Sequence, residues 1–343
     1  MKQPPEFNCQ LLEWFRQNRR DLPWRKSQRD PYAVWVSEIM LQQTTVATVV
    51  PYFVRWMAMF PTVRQLASAP EQEVLALWQG LGYYSRAKRL HQAAKVIAEG
   101  DQWPHTYQDW LAIPGIGPYT AAAISSIVSG EPKAVVDGNV ERVYARLTAD
   151  YSSGSQLKLK ARDWASLNLS YDAPGSWNEA VMELGATVCT PKSPHCSACP
   201  VVNHCVAHEQ GLQNVLPVRP TKPEWKHVRH VAWIPVFEET VGIRRVPEGK
   251  WWAGLWDFPR VEQDSQSQTM LCQLVGDARL RHVGKIRHVV TRHKVEVDVH
   301  VAQVIAQSDQ LLWIRREELP DYALPTPARK MFKLLTTYET AQN

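Results

Sequence analysis

One carboxylate and four thiols stand out in this sequence for chemistry rather than packing. Glu38 is the only charged residue between Pro31 and Val54, in a run that includes Val34, Trp35, Val36, Ile39, Met40 and Leu41. A carboxylate in such company is paired, protonated or facing a cavity, because an unpaired buried charge is costly. Desolvation raises a carboxyl pKa, which makes a general acid available near neutral pH. A helix-surface glutamate turned to water beside Ser37 is the plainer reading, and both stay open here. The thiols are Cys189, Cys196, Cys199 and Cys205, all within seventeen residues. Four cysteines so placed can hold a metal centre tetrahedrally. Zinc sites usually show two close-spaced pairs, whereas here one C-x2-C pair has long flanks, which favours an iron–sulfur cluster. His195 and His204 keep a mixed Cys/His zinc site open. The N-terminus, MKQPPEFNCQ, has no secretory signal core, so a disulfide framework is not expected. Cys9 and Cys272 follow no partner pattern.

The element expected to position a ligand is the stretch Leu111 to Arg146. Trp110 to Ala112 ends a helix, since Pro114-Gly115-Ile116-Gly117 cannot continue it. Pro118 suits the first position of a new helix that ends at Gly130. Such a hairpin aims free backbone N–H groups at one point, where a phosphate oxygen binds without its base being read. Asp137 follows in Val136-Asp137-Gly138-Asn139, placed to cap a third helix.

Other stretches carry secondary signals. Gln42-Gln43-Thr44-Thr45 closes the apolar helix, and amides there suit either base edges or the end of an apolar face. Gly80-Leu81-Gly82-Tyr83-Tyr84-Ser85-Arg86 sets an aromatic pair beside basic residues, as in a duplex wedge or a core pair. Phe7–Asn18, Glu71–Gly80, Leu157–Leu169 and Trp177–Val188 read as helices. At 343 residues two domains are expected. The composition is that of ordinary soluble protein, 45% apolar and 21% charged, and a net charge of +5 permits nucleic-acid binding without demanding it. The most apolar run, Pro31 to Val54, contains too many polar residues for a membrane span and reads as a helix pair broken at Pro51. Val215 to Trp225 holds three prolines and reads as a linker. Beyond it the period changes to strands at His230–Phe237, Val241–Arg245, Val289–Val301 and Leu311–Ile314. With a helix at Thr326–Thr337, these make a small α+β domain.

Four motifs then agree. VWVSEIMLQQTTVATVVPYF, GLGYYSRAKRLHQAA, IPGIGPYTAAAI…AVVDGNVERV and the x6-x2-x5 cysteine loop together resemble the adenine DNA glycosylases of the MutY type, in the helix–hairpin–helix superfamily. The resemblance covers residues 7–208 and continues more weakly to the C-terminus, where Leu255-Trp256-Asp257-Phe258-Pro259 is similar to the start of the family's nudix-like domain. It implies a multidomain protein: an all-α helix–hairpin–helix core with an iron–sulfur loop, and a C-terminal α+β nudix-like domain. The catalytic region is expected at residues 1–214, with a hairpin lobe at about 31–133 and a cluster lobe from 1–30 and 134–214. A linker follows at 215–229 and the nudix-like domain at 230–343.

The resemblance also implies a chemistry. Adenine mispaired with 8-oxoguanine, or with guanine, is flipped out of the duplex and removed, because a purine cannot be attacked inside the stack. The glycosidic bond breaks through an oxocarbenium-like state served by two carboxyl groups. By position Glu38 protonates adenine at N7, Asp137 stabilises the cation, and Tyr119 and Asn139 assist. Trp24, Arg25 and Glu179 match the adenine pocket. Gln42, Gln43, Thr44 and Tyr83 are placed at the bases, and Gly115, Gly117 and Arg86 at the DNA backbone. Cys189, Cys196, Cys199 and Cys205 would carry one [4Fe–4S] cluster. A lysine at the hairpin position of Tyr119 would form a Schiff base and cut the strand, but none lies between Ala112 and Pro132. The enzyme is therefore expected to stop at the abasic site. In the C-terminal domain the family's Phe-Ser-His loop is replaced by Val290-Thr291-Arg292, with His293 adjacent. Thr291 and His293 are the expected readers of the oxidised base and Arg292 a phosphate anchor. A monomer on duplex DNA, cytoplasmic at the nucleoid and off the membrane, completes the expectation.

Three rival readings fit the residues less well. A strand-cleaving pyrimidine glycosylase of the endonuclease III type lacks support without the lysine. A non-catalytic iron–sulfur DNA-binding protein would not need Glu38 and Asp137. A nudix hydrolase needs a glutamate-rich helix, and none follows Arg260.

Overall fold

Among the described residues helices alone run as far as Glu209, and strands begin at Lys226, with two further α-helices among and after them. The computed structural model describes residues 2–26, 28–100, 102–218, 224–264 and 266–340. Two compact units form: Met1–Ser68 with Arg89–Thr221, and Ala69–Lys88 with Lys222–Asn343. The segment Ala69–Lys88, assigned by sequence to the hairpin lobe, groups with the second unit.

The helices in order are α1 (Pro5–Asn18), α2 (Pro31–Leu41), α3 (Val46–Met59), α4 (Val63–Ser68), α5 (Glu71–Trp78), α6 (Ser85–Glu99), α7 (Tyr107–Ala112), α8 (Pro118–Ser129), α9 (Gly138–Leu147), α10 (Gly154–Asn168), α11 (Pro174–Thr187) and the single turn α12 (Val206–Glu209). Asp30 caps α2, its carboxylate accepting from Tyr32 N at 3.0 Å. The break in the apolar run falls at Gln42–Thr45 and not at Pro51. Gln43 adopts φ +56°, which a helix cannot accommodate, whereas Pro51 sits in the second turn of α3, where a single carbonyl loses its donor. The hairpin between α7 and α8 forms as its prolines and glycines require. Gly115 has φ +85°, and a Cβ there would meet the Cβ of Arg89 at 2.8 Å, so only glycine fits this turn. Gly130 ends α8 in the left-handed conformation.

Helix α11 packs against α1, α8 and α9. It is apolar on nearly every side, so its polar residues Asn178, Glu179 and Glu183 are buried with it. Small residues permit the contact: a Cβ on Gly185 would lie 2.5 Å from the Cβ of Asn139. Phe7, Leu11, Trp164 and Trp177 fill the core around it. Among the described residues no helix is long and apolar enough to cross a membrane.

Besides α5 and the start of α6, the described residues of the second unit form seven strands and two further α-helices after Lys222: β1 (Lys226–Phe237), β2 (Thr240–Arg245), β3 (Trp256–Asp257), β4 (Arg260–Glu262), α13 (Ser267–Val275), β5 (Ala278–Val290), β6 (His293–Val304), β7 (Leu312–Arg315) and α14 (Thr326–Thr340). The strand order is β3-β2-β1-β6-β5, with β4 also on β1 and β7 on β2. β1 and β6 run parallel from Lys226↔His293 to Val236↔Gln303. Alternation along β1 sorts its side chains by face. Ala232, Ile234 and Val236 pack with Met331 and Leu335 of α14, while Trp233 packs with Leu271 and Val275 of α13. The expected linker 215–229 is partly strand, since β1 begins at Lys226; its residues 219–223 lie outside the described ones. The run Val289–Val301, expected as one strand, is two. β5 and β6 meet at Val290↔His293, leaving Thr291-Arg292 as a two-residue turn with Thr291 at φ +50°.

The close contact at Gly185 yields a test. Gly185→Ala should lower stability by about 1–3 kcal/mol, because an added methyl in a packed helix contact forces the backbones apart. Urea unfolding should show a lower midpoint with an unchanged slope.

Candidate active site

Four helices bring the chemistry together: α2 presents Glu38, α8 presents Tyr119, the start of α9 presents Asp137 and Asn139, and α11 presents Glu179 and Glu183. With Trp24, Arg25, Gln42, Gln43 and Thr44 they line a cavity of about 790 Å³ in the first unit. Glu38 is only 8% exposed, so the surface-glutamate reading is set aside. Burial pushes its pKa up to about 7. The Tyr119 hydroxyl hydrogen-bonds it and draws the value down, the charges of Glu179 and Asp137 push it up, and Arg25 opposes them. Tyr119 itself is held well above its ordinary pKa by burial and by Glu38 and Asp137, so it remains a neutral donor.

Asp137 caps α9. Its Oδ1 accepts from the backbone N–H of Asn139 and of Val140, each at 2.9 Å. Its Oδ2 accepts from Asn139 Nδ2 at 2.7 Å and lines the cavity. Three donors satisfy the carboxylate's oxygens. Asn139 is fixed in turn, its Oδ1 accepting from Arg142 Nη2 at 2.7 Å. The same guanidinium donates to Gly185 O and Cys189 O, at 2.8 and 2.7 Å.

Arg25 donates to Glu179 at 3.0 Å and to Glu183 at 3.0 Å; Arg20 donates to Glu183 at 2.6 Å and Arg29 to Glu179 at 2.6 Å. This chain of five charges was only partly legible in sequence. Glu183, Arg20 and Arg29 went unnoticed, although acids four apart on an apolar helix, facing arginines spaced through 20–29, are a usable signal. Burial disfavours the Glu183 carboxylate, yet hydrogen bonds from Arg20 and the charge of Arg25 hold its pKa below the ordinary value. Trp24 is buried edge-to-face against Phe53, centroids 5.1 Å apart, and Gln42 donates to Thr120 Oγ1 at 3.3 Å.

Not every sequence-derived residue lies here. Tyr83 and Tyr84 part company: Tyr84 is buried, while Tyr83 is 51% exposed at φ +48°. Arg86, expected at the DNA backbone, is turned inward. Its guanidinium donates to Leu81 O and Gly82 O and lies over the Trp78 and Tyr83 rings. Gly115 and Gly117 occupy the hairpin turn. In the second unit Thr291 and Arg292 are exposed at the β5–β6 turn, whereas His293 lies 5.0 Å from the Trp251 ring, with Thr291 Oγ1 3.4 Å from its Nδ1.

The four loop cysteines carry no disulfide. Cys189 Sγ accepts from Arg146 Nη1 at 3.2 Å, and Arg146 is itself 2% exposed. Burial, with the charges of Cys189, Cys205 and Cys196, pushes the Cys199 thiol up to about 12. Its neighbours are therefore close enough to repel it, and a positive centre would ionise all four. Among the described residues no three His, Cys, Asp or Glu side chains close to the spacing of a single metal ion. His204 instead packs edge-on to Phe7 and bonds Gln10.

Comparison with known proteins agrees with this architecture. Residues 36–165 match the family of HhH-GPD superfamily base excision DNA repair proteins, and residues 230–334 match the NUDIX domain. The adenine DNA glycosylase of Mus musculus is 35% identical over 96% of this chain and 77% of its own length. That of Buchnera aphidicola subsp. Schizaphis graminum is 29% identical over 96% of this chain and 98% of its own. Among solved structures, a thermostable thymine-DNA glycosylase superposes with a TM-score of 0.53 and 27% identity, over 60% of this chain and 96% of that one. With its helical core, its nudix-like domain and relatives aligned almost end to end, this chain belongs to the adenine DNA glycosylases, the base-excision-repair hydrolases that cleave adenine from DNA.

Proposed function

We propose that the preferred substrate is adenine opposite 8-oxoguanine, with guanine as the second choice, in duplex DNA bound by a monomer, and that the reaction ends at the abasic site. The observation that carries the chemistry is Glu38, a buried carboxyl with its pKa pushed up to about 7, in a cavity that also holds the three-donor hydrogen-bond network of Asp137. Adenine enters the cavity after flipping. Glu38 delivers its proton to N7, so the base departs neutral, and Tyr119 keeps the Glu38 carboxyl oriented. Asp137 lies under charge as the sugar becomes oxocarbenium-like and stabilises it. Arg25 and Glu179 offer a paired donor and acceptor to the edge of the base. No lysine lines the cavity among the described residues, which supports a hydrolytic end without a Schiff base. Reading of the oxidised base is assigned to Thr291 and His293, with Arg292 as phosphate anchor.

Duplexes with adenine opposite 8-oxoguanine, guanine and thymine test this directly. Excision should be fastest opposite 8-oxoguanine, and the strand should break only after alkali treatment. Equal rates opposite 8-oxoguanine and guanine, or strand breaks without alkali, would contradict the proposal.

The acid assignment has a pH signature. Glu38 is competent only while protonated, so single-turnover excision should fall as pH rises through about 7. The same raised pKa affects stability: its contribution is complete below the ordinary value of 4.5 and lost as pH climbs through about 7. Glu38→Gln should reduce excision by more than the about 10² to 10⁴-fold usual for a general acid, since adenine leaves poorly unprotonated, with mispair binding retained. Asp137→Asn should be almost as inactive while folding normally, because asparagine caps a helix as well as aspartate. An active Asp137→Asn enzyme would reduce Asp137 to a cap.

We further propose that Cys189, Cys196, Cys199 and Cys205 hold one [4Fe–4S] cluster, which would cross-link the loop and fix its fold. Four soft thiols on one loop, all free of disulfides and mutually repelling, support it. Purified protein should be yellow-brown with about four irons per chain. A fully active preparation containing only zinc would overturn it.

A further inference from the structure

The Tyr119 hydroxyl carries one proton and stands between two acceptors. On one side is the Glu38 carboxyl, which it hydrogen-bonds. On the other is the thioether of Met182, whose Sδ lies 3.6 Å from the hydroxyl oxygen, within reach of a hydrogen bond to sulfur. Met182 belongs to α11, lines the same cavity and is partly buried, packing with Tyr119 beside Ala122, Ala123 and Val135. The excision chemistry described above leaves it without a role. A thioether is a weak acceptor and never a donor. It cannot hold the phenol hydrogen against a carboxylate, because a charge-assisted hydrogen bond is roughly twice as strong as a neutral one. Against a protonated carboxyl, which has an O–H of its own to donate, the balance reverses.

We propose that Met182 is a positioning residue for the acid: its thioether holds the Tyr119 hydrogen whenever Glu38 holds its own. With Glu38 protonated, the carboxyl O–H donates to the Tyr119 hydroxyl oxygen, and Tyr119 donates onward to Met182 Sδ. When the Glu38 proton passes to N7 of the flipped adenine, the carboxyl becomes a carboxylate and the Tyr119 O–H turns from sulfur towards it. No bond of the tyrosine breaks, and its proton stays on its own oxygen. The sulfur thus favours the loaded acid and releases its hydrogen bond as the acid is discharged. This inference rests on the reading of Glu38 as the proton donor. The charged groups facing Glu38 from the other elements do not serve in its place. Asp137 already accepts three hydrogen bonds, Glu179 is tied to Arg25 and Arg29, and the Arg25 guanidinium has donors only.

Met182→Leu keeps the side-chain volume and removes the acceptor. The protonated state then loses a hydrogen bond that the carboxylate state never had. The Glu38 pKa should therefore fall from about 7 by about half a unit to one unit. Two measurements on the full-length protein read this shift. In an infrared titration the C=O stretch of the protonated Glu38 carboxyl, identified by its absence from Glu38→Gln, should vanish at lower pH in the variant. Single-turnover excision should fall earlier on the alkaline side, with a loss about threefold to tenfold greater at about pH 8 than at about pH 5.5. Tyr119→Phe removes the donor, so adding Met182→Leu to it should leave the carboxyl titration where Tyr119→Phe alone sets it. Met182→Ile repeats the test if the leucine variant misfolds. A carboxyl band that moves while the alkaline limb of excision stays would leave the Tyr119–Met182 exchange standing and refute Glu38 as the acid. A band that Met182→Leu does not move, or moves equally in the Tyr119→Phe background, would overturn the proposal.

Discussion

Four carboxylic acids line one pocket, and their mutual repulsion is the constraint that the first unit is built to satisfy. At a few ångströms and low effective dielectric, like charges repel by several kcal/mol, so they cannot all be bare anions. Each is relieved differently. Glu38, with apolar neighbours and one hydroxyl donor, keeps its proton up to about pH 7. Asp137 accepts hydrogen bonds from two backbone N–H groups and an amide. Glu179 and Glu183 are tied to Arg20, Arg25 and Arg29. The difference between these carboxyl groups follows from their surroundings, not from the groups themselves.

Holding those surroundings still explains much of the helical packing. Glu179 and Glu183 are one turn apart on α11, which therefore faces the arginines of the 20–29 loop along one side. On another side Gly185 lets α9 approach closely enough for Arg142 to bridge Asn139, Gly185 and Cys189. The cysteine loop and the capped start of α9 are thus joined through a single guanidinium. Arg146, one turn further along α9, bonds Cys189 Sγ, Thr190 O and Leu216 O. Two buried arginines on one helix thereby anchor the loop to the element that carries Asp137.

The second unit solves a different problem with the same economy. A sheet with α13 on one face and α14 on the other needs no charges in its core, and strand alternation alone distributes its side chains. Asp257 is buried, and Arg260, His230 and His288 lie half-buried near it beside the adjacent tryptophans Trp251 and Trp252.

What the sequence by itself determined was local. Proline and glycine chemistry dictated the hairpin after α7, its helix α8 and the stop at Gly130, because φ restrictions act within a few residues. The isolation of Glu38 in an apolar helix and the capping position of Asp137 were legible for the same reason, and the motifs' order was enough to identify the family. Strand alternation announced the second unit. What only the tertiary structure decided was pairing over distance. The partners of Arg20 and Arg25 lie more than 150 residues away, and no local signal joins them. The break between α2 and α3 depended on the left-handed Gln43 and not on Pro51, since a proline in the second turn of a helix costs only one hydrogen bond. Tyr83 and Tyr84 are indistinguishable by type, yet one is exposed and the other buried, because a turn at positive φ reverses the side a residue faces. Arg86 turned to its own loop's carbonyls for a like reason: where a long cation points is settled by the acceptors the fold brings within its reach.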